Sequence, residues 1–370
     1  MARRLLPLLV GAILILTPAI AAAEDEYRQE FREDAMVSGT SGWARTYAGL
    51  YWTDDGGASW RNISPPSAHP ARLQAVDFAD PEHGWAVEEG GEEPHPRPAL
   101  FATSDGGRTW ARTSIRLPSR YAQVGDASFS AVGAHLVYAL VRESRNTAFS
   151  IGYLYVSHDG GMHWHELPQR PPHAGELVFT SARDGWIAEE GPEPAVYRTG
   201  DGGRHWTEVR LPRPPGLAKA RTDYLAPRFE ADGHGILAAT YDDYERRAVT
   251  VLYSTTDFGR HWKLAAAARL IVKGDPVVFA YRGDDSVLTA IYEAPQLGLL
   301  GVDGSTSPLA GAGLPTEYSP WLSFSGDEDG FGRIETERCD VTAKRARCKD
   351  VNELYFTADG GATWTPTSRP

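Results

Sequence analysis

Carboxylates cluster in this chain, and clustered carboxylates are what acid–base hydrolysis or cation capture requires. One group is Glu88-Glu89-Gly90-Gly91-Glu92-Glu93-Pro94, a second is Glu189-Glu190-Gly191-Pro192-Glu193-Pro194, and a third is Asp242-Asp243-Tyr244-Glu245-Arg246-Arg247, with Glu293 further on. Two such groups about 5–9.5 Å apart can cleave a glycosidic bond, as acid and base or acid and nucleophile. The same runs could instead offer a binding face to a cation, a basic peptide or a sugar, or be solvated loop charge. Spacing selects no pair, so catalytic residues stay unassigned.

Other chemistries fit less well. His163, His205 and His261 recur at one position of a repeat, one residue before a Trp. Equivalent positions in packed sheets lie about 10 Å apart, whereas ligands of one metal ion lie about 2 Å from it. They are expected to bond locally within turns, and no metal site or other cofactor is expected. No Gly-x-Ser-x-Gly elbow is present. Cys339 and Cys348 lack the Cys-x-x-Cys redox spacing and are expected to form a disulfide that pins a hairpin. A net charge of −12 repels phosphate backbones, with no basic aromatic stripe to offset it, so nucleic acid is a poor partner.

The frame that must carry these residues is written in a recurring turn. The pattern Thr/Ser-x-Asp-x-Gly-x-(Ser/Thr/His)-Trp occurs at Thr53–Trp60, Thr103–Trp110, Ser157–Trp164, Thr199–Trp206, Thr255–Trp262 and Thr357–Trp364. Each follows an apolar-aromatic pair such as Leu50-Tyr51 or Leu354-Tyr355, which suits the end of a half-buried strand. The Asp side chain can accept backbone N–H groups of the turn, and Gly supplies a positive φ. The fifth copy reads Asp257-Phe258-Gly259, which suggests that the first Gly of the usual pair is dispensable.

Spacing counts the units. The Asp residues at 55, 105, 159, 201, 257 and 359 are separated by 50, 54, 42, 56 and 102 residues, so the last gap holds two periods. Leu299-Leu300-Gly301-Val302-Asp303-Gly304 supplies a degenerate copy without the Trp. The expectation is an all-β, seven-bladed β-propeller of four-stranded antiparallel blades, with Asp55, Asp105, Asp159, Asp201, Asp257, Asp303 and Asp359 at the bends between third and fourth strands. Blades are expected near residues 31–66, 70–117, 121–170, 174–214, 224–268, 275–308 and 318–370, within one domain at 24–370. Ser41-Gly42-Trp43-Ala44, His83-Gly84-Trp85-Ala86 and Asp184-Gly185-Trp186-Ile187 recur as entries to second strands.

The turn resembles the Asp-box, or BNR repeat, of sialidases, sortilin-type receptors and xyloglucan-cleaving glycosidases. Its coupling to a Gly-Trp-Ala strand is similar to the Ycf48-like photosystem II assembly factors. The resemblance implies a propeller over nearly all of residues 24–370 and, for the last group, a scaffold for another protein. It carries no site residues over: Arg333-Ile334 is followed by Glu335 where sialidases have Arg-Ile-Pro, and the xyloglucan enzymes pair two propellers around a cleft.

Met1 to Ala23 has the form of a secretory signal: Arg3 and Arg4, an apolar run from Leu5 to Ile20, then Ala21-Ala22-Ala23 before Glu24. No Cys follows the apolar run, which argues against a lipid anchor. The mature chain is expected in the periplasm or outside the cell, without stable membrane insertion. The function expected is a non-catalytic binding or assembly scaffold for a protein or glycan partner. The candidate face comprises Glu88, Glu89, Glu92, Glu93, Glu189, Glu190, Glu193, Asp242, Asp243 and Glu245. The alternative is a glycoside hydrolase that uses two of those carboxylates.

Overall fold

In the computed structural model, residues 29–90, 97–117, 123–144, 151–188, 194–242, 247–271, 278–283, 285–290, 297–315, 320–340 and 347–370 are described. Seven antiparallel sheets follow one another at 31–62, 73–114, 123–166, 176–208, 221–271, 278–309 and 321–366, making a seven-bladed propeller. Strand order within each sheet follows chain order. First strands touch between blades two and three, three and four, six and seven, and seven and one, on the channel side, while short fourth strands such as Arg61–Asn62 and Thr207–Glu208 are exposed. In blade five the inner edge is split: Arg221–Tyr224 and Arg228–Phe229 both pair with Gly235–Asp242. Pro227 lies in the break, where it has no N–H to give the ladder. Among the described residues no helix is long and apolar enough to cross a membrane.

Apolar alternation along the strands places the core between blades. Each of seven buried clusters joins one pair of neighbours. Trp43, Trp52 and Phe78 join blades one and two. Phe31, Met36, Phe331 and Leu354 join blades one and seven. The ring is closed by contact, without strand exchange: Phe31–Ser38 pairs with Ser41–Thr46 as the first strand of blade one. The Arg333 guanidinium of blade seven meets Asp34 of blade one at 2.7 Å. Met36 N–H donates to Ser323 Oγ at 3.1 Å. The C-terminal tail finishes the seam, with Ser368 N–H on Gly57 O at 2.9 Å and the Trp60 indole N–H on Ser368 O at 3.0 Å.

The third-to-fourth-strand turns share one hydrogen-bond pattern. In blade two, buried Thr103 donates its hydroxyl to Asp105 Oδ1 at 2.8 Å and accepts Gly107 N–H at 2.9 Å. Asp105 then accepts Thr109 N–H at 2.8 Å and the Thr109 hydroxyl at 2.6 Å. In blades three to five a histidine takes the hydroxyl's place, with Nδ1 of His163, His205 and His261 at 2.6–2.7 Å from the turn carboxylate. Asp303 occupies the corresponding bend of blade six, where it accepts Ser305 N–H at 2.8 Å. Both glycines of a regular turn have positive φ, 69° and 76° at Gly106 and Gly107. Phe258 is held at φ 54°, so the first position needs the left-handed conformation even where Gly is absent.

Replacing Thr103 by Val keeps the volume but leaves the buried Gly107 N–H without an acceptor. The expected loss is about 1–3 kcal/mol of unfolding free energy, measured by urea denaturation at pH 7. The exposed-site exchange Thr109→Val should cost less; an equal or larger loss there would contradict this assignment of the buried hydroxyl.

Candidate functional site

The inner strands carry charge where their outer neighbours carry apolar side chains. The site is a cavity of about 460 Å³ in the central channel, lined by the first strands of blades one to five. That is a normal size for a ligand pocket. Glu33, Asp77, Asp126 and Glu176 face it, with Arg142 and the ring of Tyr224. Ala174 and Gly175, from the connector entering blade four, also line it, so it belongs to the end of the channel where blade connectors arrive.

Three of the channel carboxylates have a cation. Arg45 Nε meets Glu33 Oε2 at 2.9 Å, Arg142 meets Asp126 Oδ2 at 2.7 Å, and Arg333 holds Asp34. Arg45 also donates to Leu73 O at 2.7 Å, tying blade one to blade two. Asp77 and Glu176 are different. Asp77 accepts only Phe78 N–H at 2.9 Å, and Glu176 accepts Ala226 N–H at 3.2 Å. Among the described residues neither has a basic side chain within ion-pair distance. Arg228, whose charge weakly favours ionised Glu176, donates to Gly283 O at 2.9 Å.

Electrostatics follow from depth. Glu33 keeps a third of its side chain open to the channel, but the bore replaces most bulk water with protein. Burial pushes its carboxyl to about 7, against the pull of Arg45 and with Asp126 and Asp34 adding to the rise. Burial also lifts Asp77 to about 6, opposed by the Phe78 N–H and reinforced by Glu176. Asp34, Asp126 and Glu176 are raised for the same leading reason. The turn carboxylates behave oppositely: the Thr109 hydroxyl and N–H hold Asp105 down at about 2. Among the described residues no three His, Cys, Asp or Glu side chains converge as a metal site.

The acidic loops expected to form the site fare unevenly. Glu88 is not a loop residue but the last of strand Gly84–Glu88; it is buried, with Oε1 accepting His69 N–H at 2.8 Å. The strand runs one residue further than the Glu-Glu run suggests, turning this carboxylate inward toward Arg112 at 3.8 Å. Glu89 folds back onto Gln74 at 2.9 Å and Arg72 at 3.7 Å. Asp242 ends the second strand of blade five. Glu92, Glu93, Glu189, Glu190, Glu193, Asp243, Glu245 and Glu293 lie outside the described residues, as does the segment 1–28. The channel carboxylates escaped sequence reasoning because they are scattered over four strands, Asp77, Asp126 and Glu176 each as the single charge of its strand and Glu33 beside Asp34 in another. The available signal was a charge interrupting an apolar run, as in Val76-Asp77-Phe78 and Glu176-Leu177.

These features define the class: a seven-bladed β-propeller with an ionisable cavity in its channel. No protein-family model matches the chain. The photosystem II assembly lipoprotein Ycf48 of Synechococcus sp. (strain CC9902) is 31% identical over 116 residues, which span 30% of this chain and 28% of that protein. Among solved structures, YCF48 bound to D1 peptide aligns over 80% of both chains at 15% identity and a TM-score of 0.48. Virginiamycin B lyase from Staphylococcus aureus aligns over 90% of this chain and 93% of its own, at 10% identity and a TM-score of 0.48. The GH74 xyloglucanase from Xanthomonas campestris aligns over 91% of this chain and 64% of its own, at 13% identity and a TM-score of 0.37. The seven-bladed assignment rests on the strand pairing, not on these alignments.

Asp77 gives a pH test. Its folded carboxyl titrates above its unfolded value, so its ionisation destabilises the fold progressively from about pH 4 to 6 and fully above that. Asp77→Asn should therefore raise the melting temperature by a few degrees at pH 8 and leave it unchanged at pH 3.5. An effect of equal size at both pH values would show that charge burial is not its cause.

Proposed function

We propose that this protein is a non-catalytic assembly scaffold that receives a cationic segment of a protein partner in its channel cavity. The observation that carries the reading is the pair Asp77 and Glu176: two carboxylates on one cavity, mutually repelling, with no ion-paired basic side chain among the described residues. A Lys, Arg or amino-terminal cation between them would relieve that repulsion in a site already shielded from bulk water. The ring of packed blades holds the carboxylates in place beforehand, so little conformational freedom is lost on binding. The assembly role is supported by the 31% identity with a photosystem II assembly lipoprotein over the matched 116 residues. Photosystem II itself is not carried over as the partner.

Titration of a labelled oligolysine peptide into the mature chain at pH 8 and low salt tests the reading. The double exchange Asp77→Asn with Glu176→Gln should weaken binding about tenfold, or about 1.4 kcal/mol. Unchanged affinity, or preferential binding of neutral glycans, would defeat it.

One observation favours a second reading, glycoside hydrolysis: burial lifts Glu33 to about 7, so it keeps a proton at neutral pH as a general acid must, in a cavity that also holds the Asp77 carboxylate. Turnover of reporter glycosides that Glu33→Gln abolishes would establish it in place of the scaffold. Export belongs to the proposal as well, and an oxidising compartment would suit the cysteines. The register of the blade-seven hairpin sets Cys339 directly opposite Cys348, within Cα reach of a disulfide. Protein recovered from that compartment should resist thiol labelling until it is reduced; labelling beforehand would exclude the bridge.

A further inference from the structure

The opposite, turn-bearing side of the molecule has a second cavity of about 670 Å³, between blades four and five. Its chemistry inverts that of the channel. Arg198, Arg210, Arg260, His205 and His261 line it, together with Asp201 and Glu208. Asp201 is already satisfied: it accepts His205 N–H at 2.9 Å and lies 2.6 Å from His205 Nδ1, with the Thr199 hydroxyl at 3.0 Å. Arg198 is paired with Asp184. Arg210 and Arg260 are exposed and have no ion-pair partner among the described residues. His205 and His261 are 84% and 90% exposed, each held by its turn carboxylate through Nδ1 only.

Two further features mark the wall of this cavity. The Nε of Arg198 and the indole N–H of Trp262 are buried there with no acceptor among the described residues. The Trp164 indole N–H, at the same turn position in blade three, is likewise buried without one. Trp206 and Trp364, at that position of their own turns, donate to Gly203 O at 3.1 Å and Gly361 O at 3.0 Å. The cavity also runs beside the outer strand of blade four, Thr207–Glu208, which has no neighbour beyond it in the sheet. Val209 N–H turns inward to Val196 O at 2.7 Å, so by strand alternation the N–H groups of Glu208 and Arg210 face outward.

We propose that this groove binds an acidic peptide segment, laid in extended form along the outer strand of blade four. Its backbone would pair with the free edge, and its carboxylates would take the planar guanidinium forks of Arg210 and Arg260. Glu208, which has no ion-pair partner among the described residues, stands among the cations and opposes a densely sulfated or phosphorylated chain. It is compatible with a segment in which carboxylates alternate with neutral residues. A peptide also offers the backbone groups that a glycan lacks.

The test is fluorescence anisotropy of a dye-labelled (Glu-Thr)4 peptide with the mature chain. Binding is expected at about 50 mM salt, weakening toward about 300 mM as the charges are screened. The double exchange Arg210→Gln with Arg260→Gln should lower affinity about tenfold while leaving the thermal transition in place, because both side chains are exposed. Should that variant unfold, Arg260→Gln alone, with about a threefold loss, decides. The channel variant Asp77→Asn with Glu176→Gln should bind the acidic peptide as the unmodified chain does, which separates this inference from the channel reading. No binding, affinity indifferent to the arginine exchanges, or tighter capture of a heparin oligosaccharide than of the peptide would each overturn it.

Discussion

The structure depends on the way each Asp–Gly turn is locked and then wedged against the preceding blade. The buried hydroxyl of Thr103 satisfies Gly107 N–H inside the turn, and the same Gly107 lies so close to Ile63 of blade one that an added Cβ would approach its Cβ to 2.6 Å. Trp110 closes the turn by donating to Ile63 O at 2.8 Å. A local hydrogen-bond pattern therefore sets the separation between sheets. Repeated around the ring, that separation leaves room for one apolar cluster per blade pair. The contacts made by the second-strand tryptophans vary: among the described residues the indole N–H groups of Trp43, before the regular blade-two turn, and of Trp186, before the blade-five turn with Phe258, have no acceptor. In blade two the equivalent Trp85 reaches Gly160 O of the next turn at 2.9 Å.

Closing seven sheets into a ring has an electrostatic consequence. Apolar side chains are used between blades, so the innermost strands can carry polar groups toward the channel. There they meet one another at close range in a medium poorer in water than the outer surface. Paired guanidiniums compensate Glu33, Asp34 and Asp126, and these same pairs help tie blade one to blades two and seven. Among the described residues Asp77 and Glu176 receive only backbone N–H groups. The result is a cavity whose charge is arranged by architecture rather than by any one loop.

Two cavities of opposite character then lie in one ring of blades, one among carboxylates in the channel and one among guanidiniums between the turns of blades four and five. A scaffold that holds two segments of unlike charge needs such separation, since a short distance would let the two sites neutralise each other. The turn histidines connect the structural and chemical roles. Nδ1 completes the turn, and the outer ring edge of His205 and His261 is left for the groove.

Architecture was legible in the residues themselves. Six full copies of the turn and the Asp303 remnant count seven blades because the pattern is local: hydroxyl, carboxylate and glycine sit within five residues and need nothing distant to be recognised. The two cavities were not legible in that way. Glu88 and Glu89 look like an exposed acidic run, yet one closes a strand in the interior and the other folds onto Gln74, because strand length and side-chain direction are decided by pairing across the sheet. Glu33, Asp77, Asp126 and Glu176 lie in four blades, with about 40 to 50 residues between successive members, and share a cavity only once the ring closes. The chain alone determined the repeat, the turn chemistry and the number of sheets. Tertiary structure decided which charges meet, since convergence of first strands on one axis is a property of the closed ring and of no segment within it.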